Sequence, residues 1–165
     1  MTWTPHATVA VIVEDQEGRF LVVEETSGGR VVFNQPAGHV EEDEAILDAV
    51  KRETLEETGM NPRRHGRFLI RLSDLVTRHH SRWRPMVVTP YVYEWQGPQS
   101  VSLNHEVQRV VWVPLAYLAA EENQSRLPWR TPLGTLNMPC CRYQGYCIWG
   151  LSYSMLKEFL ALETK

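Results

Sequence analysis

Between Gly38 and Met60 the chain reads GHVEEDEAILDAVKRETLEETGM, and this run constrains the molecule more than any other. Its spacing predicts a helix from about Glu44 to Thr58, closed by Gly59 with Pro62 just beyond. On that helix Glu53, Glu56 and Glu57 stand at i, i+3 and i+4 and share one face. Like charges so placed oppose one another by a few tenths of a kcal/mol per pair, in last turns where the helix dipole is already negative. Helix stability does not select such an arrangement. A divalent cation reverses the sign of every term, and carboxylate oxygens are hard ligands suited to Mg²⁺ or Mn²⁺. Since Glu-rich helix faces are more commonly solvated surface, the residues around the cluster have to decide between the two readings.

They do so by their spacing. Gly38, five residues, Glu44, seven residues, Arg52-Glu53, two residues, Glu56-Glu57, one residue, Gly59: the run resembles the signature of the Nudix hydrolases, G-x5-E-x7-R-E-U-x-E-E-x-G-U. Thr54 departs from it, standing where the pattern asks for an aliphatic residue, though β-branched Thr fills a similar volume. The resemblance implies an α/β chain with the Nudix fold, an α/β/α sandwich around a mixed β-sheet. It also implies that Glu53, Glu56 and Glu57 hold the metal, with the carbonyl of Gly38 adding an oxygen. Arg52 then orients the carboxylates by ion pairing. The base for the attacking water is Glu53 or Glu106, the latter in the loop before a late strand, where an ordinary surface acid is the other reading. Glu44, half a helical revolution from Glu53, is expected behind the ligands rather than among them.

At 165 residues, 43% hydrophobic and 22% charged, the chain has the size and composition of a single domain spanning 1–165. A net charge of -3 gives no support for an extended nucleic-acid surface and leaves a small nucleotide as a partner. No apolar run reaches the roughly 20 residues that span a bilayer, and MTWTPHATVA lacks the pattern of a secretion signal, so a cytoplasmic location is expected. Cys140, Cys141 and Cys147 make an odd count without a CxxC pair and read as reduced thiols. All three follow residue 139, which argues against the isopentenyl-diphosphate isomerases, Nudix-fold enzymes that need an earlier cysteine. Monomer and homodimer both remain open.

In chain order, ATVAVIVE and FLVVE read as a strand pair turning at Asp15–Gly18, followed by a short extended piece from Arg30 to Phe33. Ile46, Leu47 and Val50 are expected to form the stripe that docks the long helix. FLIRLSDLV and MVVTPYVYEW read as strands, the second at an edge or with a bulge because of Pro90. Between them the segment TRHHSRWR is either a solvated hairpin loop or a place where Arg78, Arg82 or Arg84 meets substrate phosphates while Trp83 stacks on a flat group. A strand from Val107 to Val113 and a short helix from Leu115 to Glu122 follow. Asn123–Arg142, with Pro128, Pro132 and Pro139, reads as a long connection before an amphipathic helix marked by Ile148, Leu151, Met155 and Phe159.

The substrate divides the chain. FLVVEET and FNQPAGHVEEDE resemble bacterial Nudix phosphatases of nucleoside di- and triphosphates and thiamine pyrophosphate-like compounds, whereas VVTPYVYEW and SLNHEVQRVVWVPL resemble coenzyme A diphosphatases. The latter group's upstream LLTxR and FPGG runs are absent, so hydrolysis of a nucleoside-linked diphosphate ranks first and coenzyme A cleavage second. A non-catalytic binding module is the reading outside catalysis, and retention of the three acids weighs against it.

Overall fold

Valine-rich alternating segments become the two strands that frame the molecule. In the computed structural model, which describes residues 6–27, 29–77 and 86–163, β1 (His6–Glu14) runs parallel to β7 (Met86–Trp95), with Ala7 opposite Val87 and Glu14 opposite Glu94. The sheet continues outward from β1 through β2 (Arg19–Ser27) to β3 (Arg30–Asn34), and beyond β7 to β5 (Gly66–Arg71). Off this path, β4 (Ala37–His39) pairs with β1, β6 (Leu75–Thr77) with β7, and β8 (Val107–Pro114) with β2. The parallel β1–β7 pair among antiparallel ones makes the sheet mixed, as expected.

Each face of the sheet buries its own core. On one side α1 (Ile46–Thr58) packs Ala49 and Val50 against Val9, Val11, Val13 and Leu21. On the other, α3 (Leu115–Ala119) and α4 (Gly150–Glu163) set Leu118, Met155, Leu156 and Phe159 against Ala10, Ile12, Phe20 and Val92. Fully burying each of the valine, leucine, isoleucine, methionine and phenylalanine side chains among these contributes roughly 1.5–3 kcal/mol. Helix, sheet and helix stack as a three-layer α/β/α sandwich. No helix among the described residues is long and apolar enough to cross a membrane.

Several expectations are corrected. The long helix begins at Ile46 rather than Glu44, because Asp43 takes a left-handed φ of 60° and Ala45 caps the helix in an extended conformation. Its docking stripe is rotated: Ile46 and Leu47 are 49% and 38% exposed, while Ala49, Val50, Thr54, Glu57 and Thr58 are buried. Two threonines make this face dry. Thr54 Oγ1 donates to the Val50 carbonyl at 2.8 Å and Thr58 Oγ1 to the Thr54 carbonyl at 2.6 Å, so their hydroxyls enter the core already satisfied. The position that departs from the family pattern is therefore a core position, and Glu57 lies on the docking face itself.

Pro90 marks neither an edge strand nor a bulge in β7, which lies inside the sheet. It falls where the neighbouring strand is interrupted, after Arg71 opposite Tyr91 and before Leu75 opposite Val88. The supposed single strand FLIRLSDLV is thus β5 and β6 separated at Leu72–Asp74, with Leu72 N donating to the Pro90 carbonyl at 2.9 Å. Helix α3 stops at Ala119, short of Glu122, and a 3-10 turn covers Glu121–Asn123.

The expected connection Asn123–Arg142 is a hairpin. β9 (Gln124–Thr131) pairs with β10 (Gly134–Tyr143), which pairs in turn with β11 (Tyr146–Trp149). Pro132 sits in the turn, where Thr131 Oγ1 donates to the Gly134 carbonyl at 2.7 Å, and Pro128 lies on β9, an edge strand. Proline there removes no needed ladder donor, so the proline content misled the reading.

Candidate active site

Arg52 organises the acidic cluster. From α1 its Nε donates to Glu44 Oε2 at 2.8 Å and its Nη2 to Glu44 Oε1 at 3.1 Å. Nη1 reaches Glu53 Oε1 at 2.8 Å and Glu56 Oε2 at 3.2 Å, and Nη2 also meets the His39 carbonyl at 3.0 Å. A guanidinium has five N–H donors in a rigid fork, and here they tie the loop before α1, the helix and the end of β4 together. The hydrogen bonds to Arg52 hold the Glu44 carboxyl below its ordinary value. Glu53 goes the other way: burial raises it, against the opposing pull of Arg52, and the negative charges of Glu56 and Glu106 add to the rise.

Gly38 leaves room for Glu53. A Cβ at Gly38 would lie 2.1 Å from the Glu53 carboxyl carbon, so only a bare backbone lets β4, paired to β1 through Val9, pass so close to the helix.

Glu57, one turn beyond Glu53 along the same face, is more deeply buried, 3% exposed, with Oε2 lacking any hydrogen-bond partner. Burial, then the charges of Glu25 and Glu53, push its carboxyl up to about 9; a backbone hydrogen bond from Ala37 opposes the rise and the charge of Glu106 adds slightly to it. Glu57 lines a cavity of about 260 Å³ together with Glu25, Glu106, Gln35 and Ser152. Glu106 is thus brought to the cluster from the loop before β8, its carboxylate still 59% exposed.

Glu25 is the residue the sequence reading missed. The register between β2 and β8 shifts between Glu24 and Glu25, a bulge that breaks the alternation of the strand. Glu24 ion-pairs with Arg109, whereas Glu25 lines the cavity and accepts from Asn34 Nδ2 at 3.3 Å. Burial, then the charge of Glu106, raises its carboxyl against that hydrogen bond. The doubled acid at the end of an apolar strand was the available signal. Arg78, Arg82, Trp83 and Arg84, the proposed phosphate and ring contacts, lie outside the described residues.

The donors fit a hard divalent cation. Among the described residues no three acidic, histidine or cysteine side chains already form a cation cage, since Arg52 engages Glu53 and Glu56. Yet a buried carboxylate with an unpartnered oxygen, beside three more carboxylates, lacks the positive charge that such a group requires.

A mixed sheet between helices, with an arginine-bound glutamate cluster at the end of the first long helix, defines a Nudix-type domain. The chain belongs to the NUDIX domain family, whose model matches residues 4–130. Over 57 residues it is 56% identical to Phosphatase NudJ of Escherichia coli strain K12, a stretch covering 34% of this chain and 37% of that protein. The chain thus matches little more than a third of that relative's length. Among solved structures, an Ap4A hydrolase binary complex from C. elegans superposes with TM-score 0.65 at 18% identity, covering 96% of this chain and 98% of that one. A NUDIX hydrolase from Nitrosomonas europaea does so with TM-score 0.55 at 28% identity over 79% and 84%. The NUDIX domain of Shewanella oneidensis NrtR, complexed with ADP ribose, gives 0.55 at 21% over 70% and 76%. The first and third likenesses concern the fold.

Proposed function

We propose that the protein is a Mg²⁺- or Mn²⁺-dependent pyrophosphohydrolase acting on a small diphosphate, a nucleoside di- or triphosphate or a thiamine pyrophosphate-like compound, in the cytoplasm. The observation that carries this reading is Glu57, a buried acid with an unpartnered oxygen that lines a cavity together with Glu25 and Glu106. The partial match to a protein named as a phosphatase supports the reaction class.

Glu53, Glu56 and Glu57 would hold the cation, with the Gly38 carbonyl as a further oxygen. A phosphoanhydride resists attack because its oxygens repel the nucleophile and its leaving phosphate carries charge; the bound cation supplies the positive charge that offsets both. The protein's own part is positioning. Arg52 fixes the carboxylates of Glu53 and Glu56, and Glu44 fixes Arg52. Glu53, raised by burial, or Glu106, open to solvent, takes the proton of the attacking water. Glu25 adds a carboxylate to the wall of the cavity.

The test is release of phosphate or pyrophosphate from nucleoside di- and triphosphates, thiamine pyrophosphate, coenzyme A and nucleotide sugars, with and without Mg²⁺, in wild type and Glu57→Gln. Mg²⁺-dependent release by wild type alone is expected. No release from any compound would support a binding module.

A further inference from the structure

Among the described residues three buried side-chain atoms have no hydrogen-bond partner, and two of them, Glu57 Oε2 and Gln35 Oε1, belong to residues lining the same cavity. Glu57 is accounted for by a cation. Gln35 is not. It is 2% exposed, between β3 and β4, and its Nε2 donates to the Ser152 carbonyl in the first turn of α4 at 3.2 Å. That bond fixes the amide orientation, because the reversed amide would set oxygen against oxygen. Oε1 is thereby left as an acceptor in need of an N–H or O–H donor.

Beside the acids and the polar Thr8, Asn34 and Ser152, part of the wall is apolar. Ala10, Met86, Val88 and Met155 line the cavity, and methionine side chains pack well on flat rings. Ser152 Oγ donates to Asn34 Oδ1 at 3.0 Å, so these neighbours satisfy one another and leave Gln35 as the neutral group with an open valence. At about 260 Å³ the cavity lies just under the roughly 300–1,000 Å³ common for ligand sites, space for one ring system. Leu151, Ser152 and Met155 of α4 complete this part of the wall.

We infer that Gln35 is a specificity-determining residue: the cavity takes a single heteroaromatic ring bearing an amino group, whose N–H donates to Gln35 Oε1 while the ring lies against Met86 and Met155 and its diphosphate extends toward Glu57. This rests on the diphosphate-hydrolase reading above, but it is tested by binding. The probes are the methylene-bridged, non-hydrolysable diphosphates of cytidine, adenosine and thiamine, each beside its analogue with hydrogen in place of the ring amino group. Affinities are measured calorimetrically with Mg²⁺.

In wild type, loss of the amino group should weaken binding about tenfold or more in at least one pair, since it leaves a buried acceptor unpaired. In Gln35→Met, of similar length without an acceptor, the two members of that pair should bind alike. If the variant does not fold, the wild-type Gln35 side-chain amide resonances make the same test, shifting with the amino ligand and not with its analogue. Equal affinities within every pair in wild type, or discrimination that survives in Gln35→Met, overturns the inference. Hydrolysis of the parent diphosphates is measured separately: turnover without amino discrimination removes the role of Gln35 and leaves the enzyme, whereas discriminating binding without turnover does the reverse.

Discussion

Glu44 and Arg52 are joined by two hydrogen bonds, Nε to Oε2 at 2.8 Å and Nη2 to Oε1 at 3.1 Å, across the turn that precedes α1. Such bidentate pairing fixes direction as well as distance. It leaves Nη1 as the one nitrogen aimed at both Glu53 and Glu56, so a residue outside the helix sets the positions of two carboxylates on it.

Arg52→Lys should therefore lower kcat/KM by about 10- to 100-fold, the range typical for partners that orient metal ligands. A lysine ammonium lacks the planar fork that serves Glu44 and Glu53 together. Melting temperature should change little, because partly exposed ion pairs contribute modestly to stability. Steady-state kinetics over a Mg²⁺ titration checks this; wild-type kinetics in the variant would remove the orienting role.

Glu57→Gln should lose hydrolysis and gain metal-free stability at alkaline pH. The folded carboxyl is raised to about 9 from an ordinary value of 4.5, so the native state binds the proton more tightly than the unfolded chain. The resulting stabilisation is complete below about 4.5 and is lost as pH climbs through 9. Metal-free wild type should thus lose thermal stability across that window while Glu57→Gln holds level, and Mg²⁺ should flatten the wild-type curve. Parallel curves for the two proteins would show that Glu57 does not ionise under strain.

Gly38→Ala tests the close approach of β4 to α1. Gly38 is not among the residues with positive φ, so alanine meets no backbone penalty there, but its Cβ would stand 2.1 Å from the Glu53 carboxyl carbon. Glu53 must swing away from Arg52, and a displacement of about 1 Å can cost on the order of 100-fold in rate. Activity should fall by about that factor with the far-ultraviolet spectrum unchanged; full activity would mean that the carboxylate position does not matter.

Glu14 offers a pH effect away from the site. It ends β1, where burial, then the charges of Glu163, Glu94 and Asp15, raise its carboxyl to about 7 from 4.5. Its contribution is fully present below about 4.5 and disappears as pH rises through 7. Glu14→Gln should match wild type in melting temperature at pH 4.5 and exceed it at pH 8. An equal difference at both pH values would point to packing rather than charge.

Local spacing carried much of the molecule. Arg52, Glu53, Glu56 and Glu57 were legible because helical periodicity places i, i+3 and i+4 together wherever the helix packs. The strands β1, β2, β7 and β8 were legible from valine alternation. The docking face of α1 was not, because Thr54 and Thr58 count as polar in sequence and become core once their hydroxyls bond back to the helix. Nor was the β9–β10 hairpin, where Pro128 suits an edge strand and Pro132 a turn as well as they suit a loop.

What the sequence determined by itself was the family and the acidic helix, since both reside in residues a few positions apart along one element. Only the tertiary structure decided which acid is exposed and which is buried, and that Glu25 and Gln35 line one cavity with Glu57. Those properties depend on β2, β3 and α4 meeting across more than a hundred residues of chain, as Gln35 and Ser152 do at a separation of 117. Burial and electrostatic environment are set by neighbours in space, and a linear pattern does not contain them.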